Sequence, residues 1–369
     1  MTQSQIEIQL VAALVAASCA IPGVFLVLRR SALISDAISH TVLLGIVIGF
    51  MLLGDIDNPL LIVFAAGAGV LTVTLSELLL KTRRVREDAA IGLVFPALFS
   101  IAVIIITQNF GSIHIDVDAV LLGELAFAPF NRVDIFSASL PRGVLVMGII
   151  LIANLIVVAV FYKELKLATF DAGLAAALGF SPALIHYGLM TSVSVTAVGA
   201  FDHVGSILVI ALMIAPPAAA YLLTDRLWRM IAYSVVIGIV SAIAGYWIAR
   251  ALNVNISGAM ATMTGVFFVA ALLFAPERGL IAQTVRRKRR GERFAVEMLL
   301  VHLRRHEGTS DEETENTMRH LIEELNWQPM VALQTVQRAE RSGYIQRASD
   351  ALRLTDQGRT TASSLLAVR

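Results

Sequence analysis

The sequence predicts an all-α polytopic membrane protein with about eight or nine transmembrane helices, followed by a small α+β domain of the winged-helix type. Hydrophobic residues make up 57% of the chain and charged residues only 15%. The apolar residues are gathered in runs of about 20, the length that crosses a bilayer. The composition turns polar after the basic run Arg286–Arg290. We therefore predict a transmembrane domain over residues 1–285 and a cytoplasmic second domain over residues 286–369.

The apolar runs predict nine spans. They cover residues 8–28, 31–53, 60–80, 89–108, 143–162, 183–201, 204–223, 230–250 and 259–275, and 109–142 leaves room for a short or re-entrant helix. Basic clusters occupy every second connection, which places those connections in the cytoplasm, the amino terminus outside and the carboxyl terminus inside. The first run lacks a basic leader and reads as a retained span. The single cysteine, Cys19, excludes a disulfide framework and a multi-thiolate zinc site.

The polar tail has the pattern of three helices and a β-hairpin. Helices are predicted over 293–306, 312–326 and 329–342, and strands over 342–345 and 351–355. The order resembles the winged-helix domain of iron-dependent repressors, particularly in "LQTVQRAERSGYIQR" and "LRLTDQGR". From 286 to 369 there are 15 Lys plus Arg and 12 Asp plus Glu. The small excess argues against a DNA-binding surface. His302 and His306 have metal-ligand spacing on a charged helix.

Asp36 and His40 are the candidate metal ligands. A spacing of four places a carboxylate and an imidazole on one helical face. Ionisable groups inside a span are costly unless they are paired or functional. Carboxylate oxygen and imidazole nitrogen suit manganese and zinc, and two chains meeting at an axis would supply four ligands. The alternative is a buried ion pair that only braces one helix.

Four further polar residues are candidates for the translocation path or a gate: Ser39, Glu124, Asp202 and His203. Each has a simpler structural interpretation or an undetermined depth. A serine in a span usually bonds back to its own helix. Asp202 would cap a helix that starts at Val204. Glu124 lies in an apolar stretch, and its depth decides its role.

A helix of small residues after the fifth span predicts a docking segment. It ends at Gly179, a suitable C-cap, and proline follows three residues later. The residues proposed for coupling to an ATPase are Phe170, Asp171, Ala175, Ala176 and Gly179. The chain itself has no phosphate-binding loop, because its Lys81–Thr82 pair follows Leu80 where glycine is required. We therefore expect a transport subunit, not an enzyme, with ATP hydrolysed by a partner.

Three segments resemble the membrane permeases of the ABC-3 family: "RRSALISDAISHTVLLG", "FYKELKLATFDAGLAAALGFSP" and "VGSILVIALMIAPPAAAYLL". The resemblance implies a bacterial inner-membrane importer of manganese, zinc or iron, without a permanently bound cofactor. It also implies cytoplasmic ABC ATPases, an extracytoplasmic metal-binding protein and a second permease, identical or not. Asp36 and His40 match the family's polar pair, and the segment from Phe170 to Gly179 matches its coupling helix. The repressor-like tail favours manganese over zinc or iron.

Two alternatives from other classes stay open. In the first, the spans anchor a metal-responsive sensor or regulator and transport is vestigial. In the second, the carboxylate and imidazole relay protons in an ion-coupled secondary metal transporter.

Overall fold

The computed structural model describes residues 2–55, 58, 60–109, 123, 125–135, 138–310, 312–348 and 351–367. The chain divides into two compact units, Met1–Gly279 and Leu280–Arg369. The first unit is a bundle of long apolar helices, whereas the second is a small domain of helices and one hairpin. The predicted boundary at 285/286 lies six residues beyond this division.

The first unit contains the predicted transmembrane helices. Eight helices of its described residues are long and apolar enough to cross a membrane. They are α1 (Gln3–Leu28), α2 (Leu33–Leu53), α3 (Leu61–Lys81), α4 (Glu87–Asn109), α5 (Arg142–Val160), α8 (Pro182–Leu223), α9 (Leu227–Leu252) and α10 (Ile256–Phe274). The shorter α6 (Tyr162–Phe170) and α7 (Ala172–Ala177) follow α5. The prediction of eight or nine transmembrane helices is therefore confirmed.

Helix α8 has 42 residues and is broken at Gly205, whose φ of 75° and ψ of 166° are not helical. At about 1.5 Å per residue an unbroken helix of this length would be about twice as long as the hydrocarbon layer is thick. The positive φ explains why glycine occupies the break. A Cβ placed on Gly143 would lie 3.1 Å from Val11 and 3.5 Å from His203. The break therefore lies level with Val11 of α1.

The two arms of α8 run side by side. Before the break, the hydroxyl group of Thr196 and the carbonyl group of Ser18 both accept hydrogen bonds from the side chain of Asn154. After the break, the backbone of Met213 packs closely on Gly23. A Cβ atom on Gly23 would lie 2.0 Å from the carbonyl oxygen of Met213. Ser18 and Gly23 both follow Val11 in α1, so both arms extend from the break in the same direction along that helix. The chain therefore reverses at Gly205, close to the division between the predicted spans 183–201 and 204–223.

A buried polar contact joins three helices inside the bundle. Asn154 of α5 donates through Nδ2 to the Ser18 carbonyl at 3.2 Å and to Thr196 Oγ1 at 2.8 Å. Its Oδ1 accepts from Ser192 Oγ at 2.7 Å. Such hydrogen bonds contribute about 0.6 kcal/mol each on average in a membrane protein. Asn154 therefore links α5 to α1 and to the first arm of α8.

A two-stranded hairpin precedes α5. Its antiparallel strands are β1 (Arg132–Ile135) and β2 (Ala138–Pro141). Arg132 donates to Glu7 of α1 at 3.0 Å and to the hydroxyl group of Ser139 at 3.0 Å. The hairpin is therefore attached to the beginning of α1. A re-entrant helix within 109–142 was left open, and residues 110–122 lie outside the described part of the chain.

The second unit begins with α11 (Leu280–His306), which starts 13 residues before the predicted helix because the basic run Arg286–Arg290 is helical and exposed. The prediction of one helix over 312–326 is wrong. This segment forms two short helices, α12 (Glu312–Glu315) and α13 (Met318–Glu324). The hydroxyl group of Thr317 caps the second of these. Hydroxyl residues favour such caps over helix interiors, which explains the break.

The remaining elements of the second unit are α14 (Pro329–Arg341), β3 (Ile345–Ala348), β4 (Ala351–Leu354) and α15 (Asp356–Ala367). The strands pair antiparallel as predicted, but the first lies at Ile345–Ala348 and not at 342–345, and α15 was not predicted. Residues 342–344 instead form the turn that ends α14, where Gly343 has a φ of 73°. The core of this unit includes Leu299, Leu303, Leu321, Val336 and Leu352, all nearly inaccessible to solvent. The unit therefore has a hydrophobic core of its own.

Candidate functional site

Asp36 and His40 meet near the beginning of α2. His40 Nε2 lies 3.4 Å from Asp36 Oδ1, and the side chains are 35% and 40% exposed, respectively. Asp36 is in the first helical turn, where the positive end of the helix dipole favours a carboxylate. The rise of a helix puts the pair about 5 and 10 Å beyond the start of α2. The predicted convergence of the two side chains is present in the structure.

Aromatic rings of α4 position the imidazole. His40 stacks on Phe95 with ring centroids 5.5 Å apart and meets the edge of Phe99 at 6.2 Å. The opposite side of α2 packs on α3, where Thr72 Oγ1 donates to Thr41 Oγ1 at 2.8 Å. The ligand pair therefore faces α4 and an open side of the single chain. A position in the middle of the packed bundle would have buried both side chains.

One chain supplies only two ligands at this position. Within the described residues of the first unit, no third Asp, Glu, His or Cys side chain comes close enough to complete a metal-binding group with Asp36 and His40. Transition metals in proteins usually have four or more ligands. A metal held here would therefore need water, a carrier's ligands or a second chain.

The other predicted path residues lie elsewhere or point away. Ser39 is buried and its hydroxyl donates to the Ser35 carbonyl at 2.9 Å, within its own helix. Asp202 is exposed and His203 is buried beside the Gly205 break. That break is at the end of the bundle opposite the start of α2, so Asp202 and His203 are not brought together with Asp36. Glu124 lies outside the described residues.

The segment predicted to dock a partner consists of α6 and α7. Asp171 accepts a hydrogen bond from the Leu174 amide at 2.8 Å and so caps α7. At the other end, Gly179 has φ of 88°, and the amides of Gly179 and Phe180 bond back to the carbonyls of Ala176 and Ala175, both at 3.0 Å. This Schellman motif requires the left-handed conformation that glycine adopts without strain.

An exposed apolar surface lies at the end of α6 and along α7. Phe170 is 61% exposed, Leu174 48% and Leu178 61%. Of the residues predicted for coupling, Phe170, Asp171, Ala176 and Gly179 are exposed, whereas Ala175 is buried and seats the helix on the rest of the unit. A rigid, doubly capped helix with exposed leucines suits binding to another protein.

A polar cluster beside this segment was not predicted from the sequence. His186 Nε2 lies 2.7 Å from Glu77 Oε1, and the Tyr187 hydroxyl donates to Glu77 Oε2 at 2.5 Å. Arg29, at the end of α1, lies 3.1 Å from His186 Nδ1 and donates to Thr169 Oγ1 at 3.2 Å. The cluster thus connects α6 to α1, α3 and α8. Glu77 in the apolar run "LTVTLSELLL" was the signal, because an acidic residue in a span is rarely without a role.

A protein-family model matches most of the chain. Residues 2–275 match the model of the ABC 3 transport family. A relative named zinc transport system membrane protein TroD, from Treponema pallidum, is 46% identical over 362 residues, 98% of this chain and 99% of its own. The manganese transport system membrane protein MntD of Bacillus subtilis is 47% identical over 274 residues, 74% of this chain and 92% of its own. The first of these relatives therefore also matches the tail.

A solved structure has the same helical arrangement. The chain resembles PsaBC from Streptococcus pneumoniae, solved in complex with Fab, with a TM-score of 0.64 and 26% sequence identity. The match covers 75% of this chain and 94% of the solved one. The chain therefore shares its fold, over three quarters of its length, with a solved structure.

Proposed function

The chain belongs to the ABC 3 transport family, and from that premise we propose that it is the membrane permease subunit of an ATP-driven importer of divalent transition metals. Relatives named for zinc and manganese transport support the class of cargo. The observation that carries the proposal is the Asp36–His40 pair, whose nitrogen and oxygen ligands suit these ions. The chain itself is a multi-pass transport subunit and not an enzyme.

We assign the ion path to a face shared by two permeases. Asp36 and His40 are each more than a third exposed in one chain and lack a third protein ligand among the described residues. A second copy, or a related permease, would bring the ligand count to four across a twofold axis. Ion and path would then lie between subunits, in a bacterial cytoplasmic membrane.

The docking segment would receive the force of ATP hydrolysis. Its exposed apolar face offers a surface for a cytoplasmic ABC ATPase, with Phe170, Asp171, Ala176 and Gly179 at the contact. Arg29 then carries movement of α6 into the bundle through its contacts with Thr169 and His186. Rigid-body motion of packed helices is a common way to change access. An extracytoplasmic metal-binding protein would deliver the ion at the opposite face.

The orientation follows from the charges. The basic connections containing Arg29, Lys81 and Lys166 would face the cytoplasm, which leaves the amino terminus outside and the carboxyl terminus inside. Nine crossings, counting both arms of α8, satisfy this arrangement.

Transport assays in vesicles test the function. With the partner ATPase and binding protein present, uptake of Mn²⁺ or Zn²⁺ should depend on ATP and fall to background with a non-hydrolysable analogue. Equal uptake without ATP, driven by a proton gradient, would instead support the ion-coupled transporter. Parallel assays with Mn²⁺, Zn²⁺ and Fe²⁺ identify the cargo. The tail favours manganese, whereas one relative that also matches the tail is named for zinc, so we propose manganese, zinc or iron as the cargo.

The second unit is proposed to be a regulatory domain of winged-helix type. Its order of helices, antiparallel hairpin and own core support this assignment. Deleting residues 280–369 should leave uptake within about twofold of the intact chain, because the deletion removes an independent core and leaves the bundle intact. The measurement is initial uptake rate per assembled complex.

The same truncation separates transport from sensing. If the assembled truncated complex no longer transports, the tail is part of the transport machinery. If uptake persists while metal-dependent gene expression in the cell is lost, the sensor alternative gains support.

A further inference from the structure

Five metal-ligating side chains converge in the second unit, far along the chain from Asp36. His302 and His306 lie one turn apart on α11, with ring centroids 4.7 Å apart. His320 and Glu324 have the same spacing on α13, and Glu315 ends α12. Two overlapping groups arise, in each of which the ligand atoms lie within 4.8 Å of one another: His302, His306 and Glu324, and Glu315, His320 and Glu324.

Glu324 is the centre of the cluster. Its Oε2 lies 3.3 Å from His302 Nδ1 and 3.0 Å from His320 Nε2. The second nitrogen of His302, Nε2, lies 3.3 Å from the backbone carbonyl oxygen of Glu315. Glu315 also contacts His320 through its carboxylate. Helix α11 and the two short helices therefore meet at one carboxylate.

The surroundings of His302 make this arrangement unusual. Its side chain is only 5% exposed, and each of its ring nitrogens lies 3.3 Å from an oxygen acceptor. A neutral imidazole has one N–H group, yet both nitrogens of His302 face oxygen acceptors. If Nε2 donates to the Glu315 carbonyl, the lone pair of Nδ1 points at the Glu324 carboxylate. The lone pair and the negative carboxylate repel each other in that arrangement. A cation bound to both atoms would replace this repulsion with two attractive contacts.

This geometry matches the way proteins prepare histidine ligands. Metal-binding imidazoles usually donate their other N–H group to a carbonyl or carboxylate, which fixes the ring and the tautomer. The Glu315 carbonyl is in that position for His302. His320 and Glu324 pair only through their side chains, whereas His302 is also held through its second nitrogen by a backbone carbonyl. His320 and Glu324 are 30% and 46% exposed, which leaves the ion a route from solvent.

We propose that His302, His306, Glu315, His320 and Glu324 form a second metal site that takes a divalent first-row transition ion. Imidazole and carboxylate ligands suit Zn²⁺, Mn²⁺ or Fe²⁺, and the site needs no thiolate. The site deepens the proposed function, on which it rests only for the choice of ion: the second unit binds the same class of ion that the first transports.

Binding would order a weak part of the domain. Helices α12 and α13 have only four and seven residues, lengths at which helices are marginal without tertiary support. Ligands from α11, α12 and α13 would hold them around one ion. The metal supply would thus determine how ordered helices α12 and α13 are.

The test uses the full-length protein in detergent, stripped of metal, in an Asp36→Ala/His40→Ala background that removes the membrane pair. Titration with Co²⁺, whose visible absorption reports imidazole ligation, should saturate at one equivalent, and Zn²⁺ should displace it. Glu324→Gln and His320→Gln should each weaken Co²⁺ binding at least about tenfold. Glu323→Gln is the matched control, since Glu323 is 65% exposed and pairs with Arg319.

The outcomes separate this site from the transport proposal. Absence of Co²⁺ absorption in the background protein, or equal binding by the Glu324→Gln and Glu323→Gln variants, overturns the second site. Binding that is lost in Glu324→Gln and kept in Glu323→Gln supports it, even where the intact protein fails to transport. Both substituted side chains are partly exposed, so loss of binding without loss of helical circular dichroism is not a folding failure.

Discussion

Replacing Asp36 with alanine should reduce metal uptake at least about 100-fold while the complex still assembles. The carboxylate is one of the two ligands that we propose for the ion among the described residues of the chain, and losing even an outer partner of a metal site typically costs 10–100-fold. His40→Ala should have the same effect through loss of the imidazole. The measurement is initial uptake of radioactive Mn²⁺ or Zn²⁺ in vesicles, normalised to assembled complex.

Asp88→Ala provides the matched control for the loss of a carboxylate. Asp88 is exposed in the first turn of α4, at the same end of the bundle as the start of α2. Its removal should leave uptake within about twofold, as expected for an exposed substitution. Normal uptake in both the Asp36→Ala and His40→Ala variants would refute the site and leave the pair as a brace within α2.

Leu174→Asp should uncouple the permease from its ATPase. Leu174 is 48% exposed on the doubly capped α7, and a charge there would have to be desolvated on docking. A central interface residue typically contributes about 2 kcal/mol or more, so binding of the ATPase should weaken about thirtyfold. Co-purification and ATP-dependent uptake both measure the loss.

The control is Leu366→Asp, an exposed leucine of α15, 38% accessible. This variant should bind the ATPase normally, because the same substitution is made at a residue that is not part of the docking segment. If Leu174→Asp binds and transports as well as Leu366→Asp, α7 is not the docking site, and the partner must contact another exposed connection.

Much of the fold was readable from the sequence because lipid imposes simple rules. The lengths of the apolar runs predicted the spans. The polar interruption at Asp202 and His203 lies next to Gly205, where the structure shows that the chain reverses. The four-residue spacing correctly paired Asp36 with His40. Such features depend on the periodicity of neighbouring residues, which can be read from a single sequence. The extent of α11 was missed because charged residues propagate a helix as well as apolar ones.

The remaining features depend on contacts between distant residues. Arg29, Glu77 and His186 come from three helices, and nothing in their spacing relates them. The same is true of His302 and Glu324, whose approach depends on how α13 packs on α11. Local spacing suggested metal ligation by His302 and His306, but it could not supply the carboxylates.

The turn at Gly205 makes chain length there critical. No loop separates the two arms, so one inserted residue would rotate every later side chain of α8 by about 100° about its axis. Met213, which now fits the notch at Gly23, would then point elsewhere. Natural variation in this region should therefore exchange residues and conserve their number.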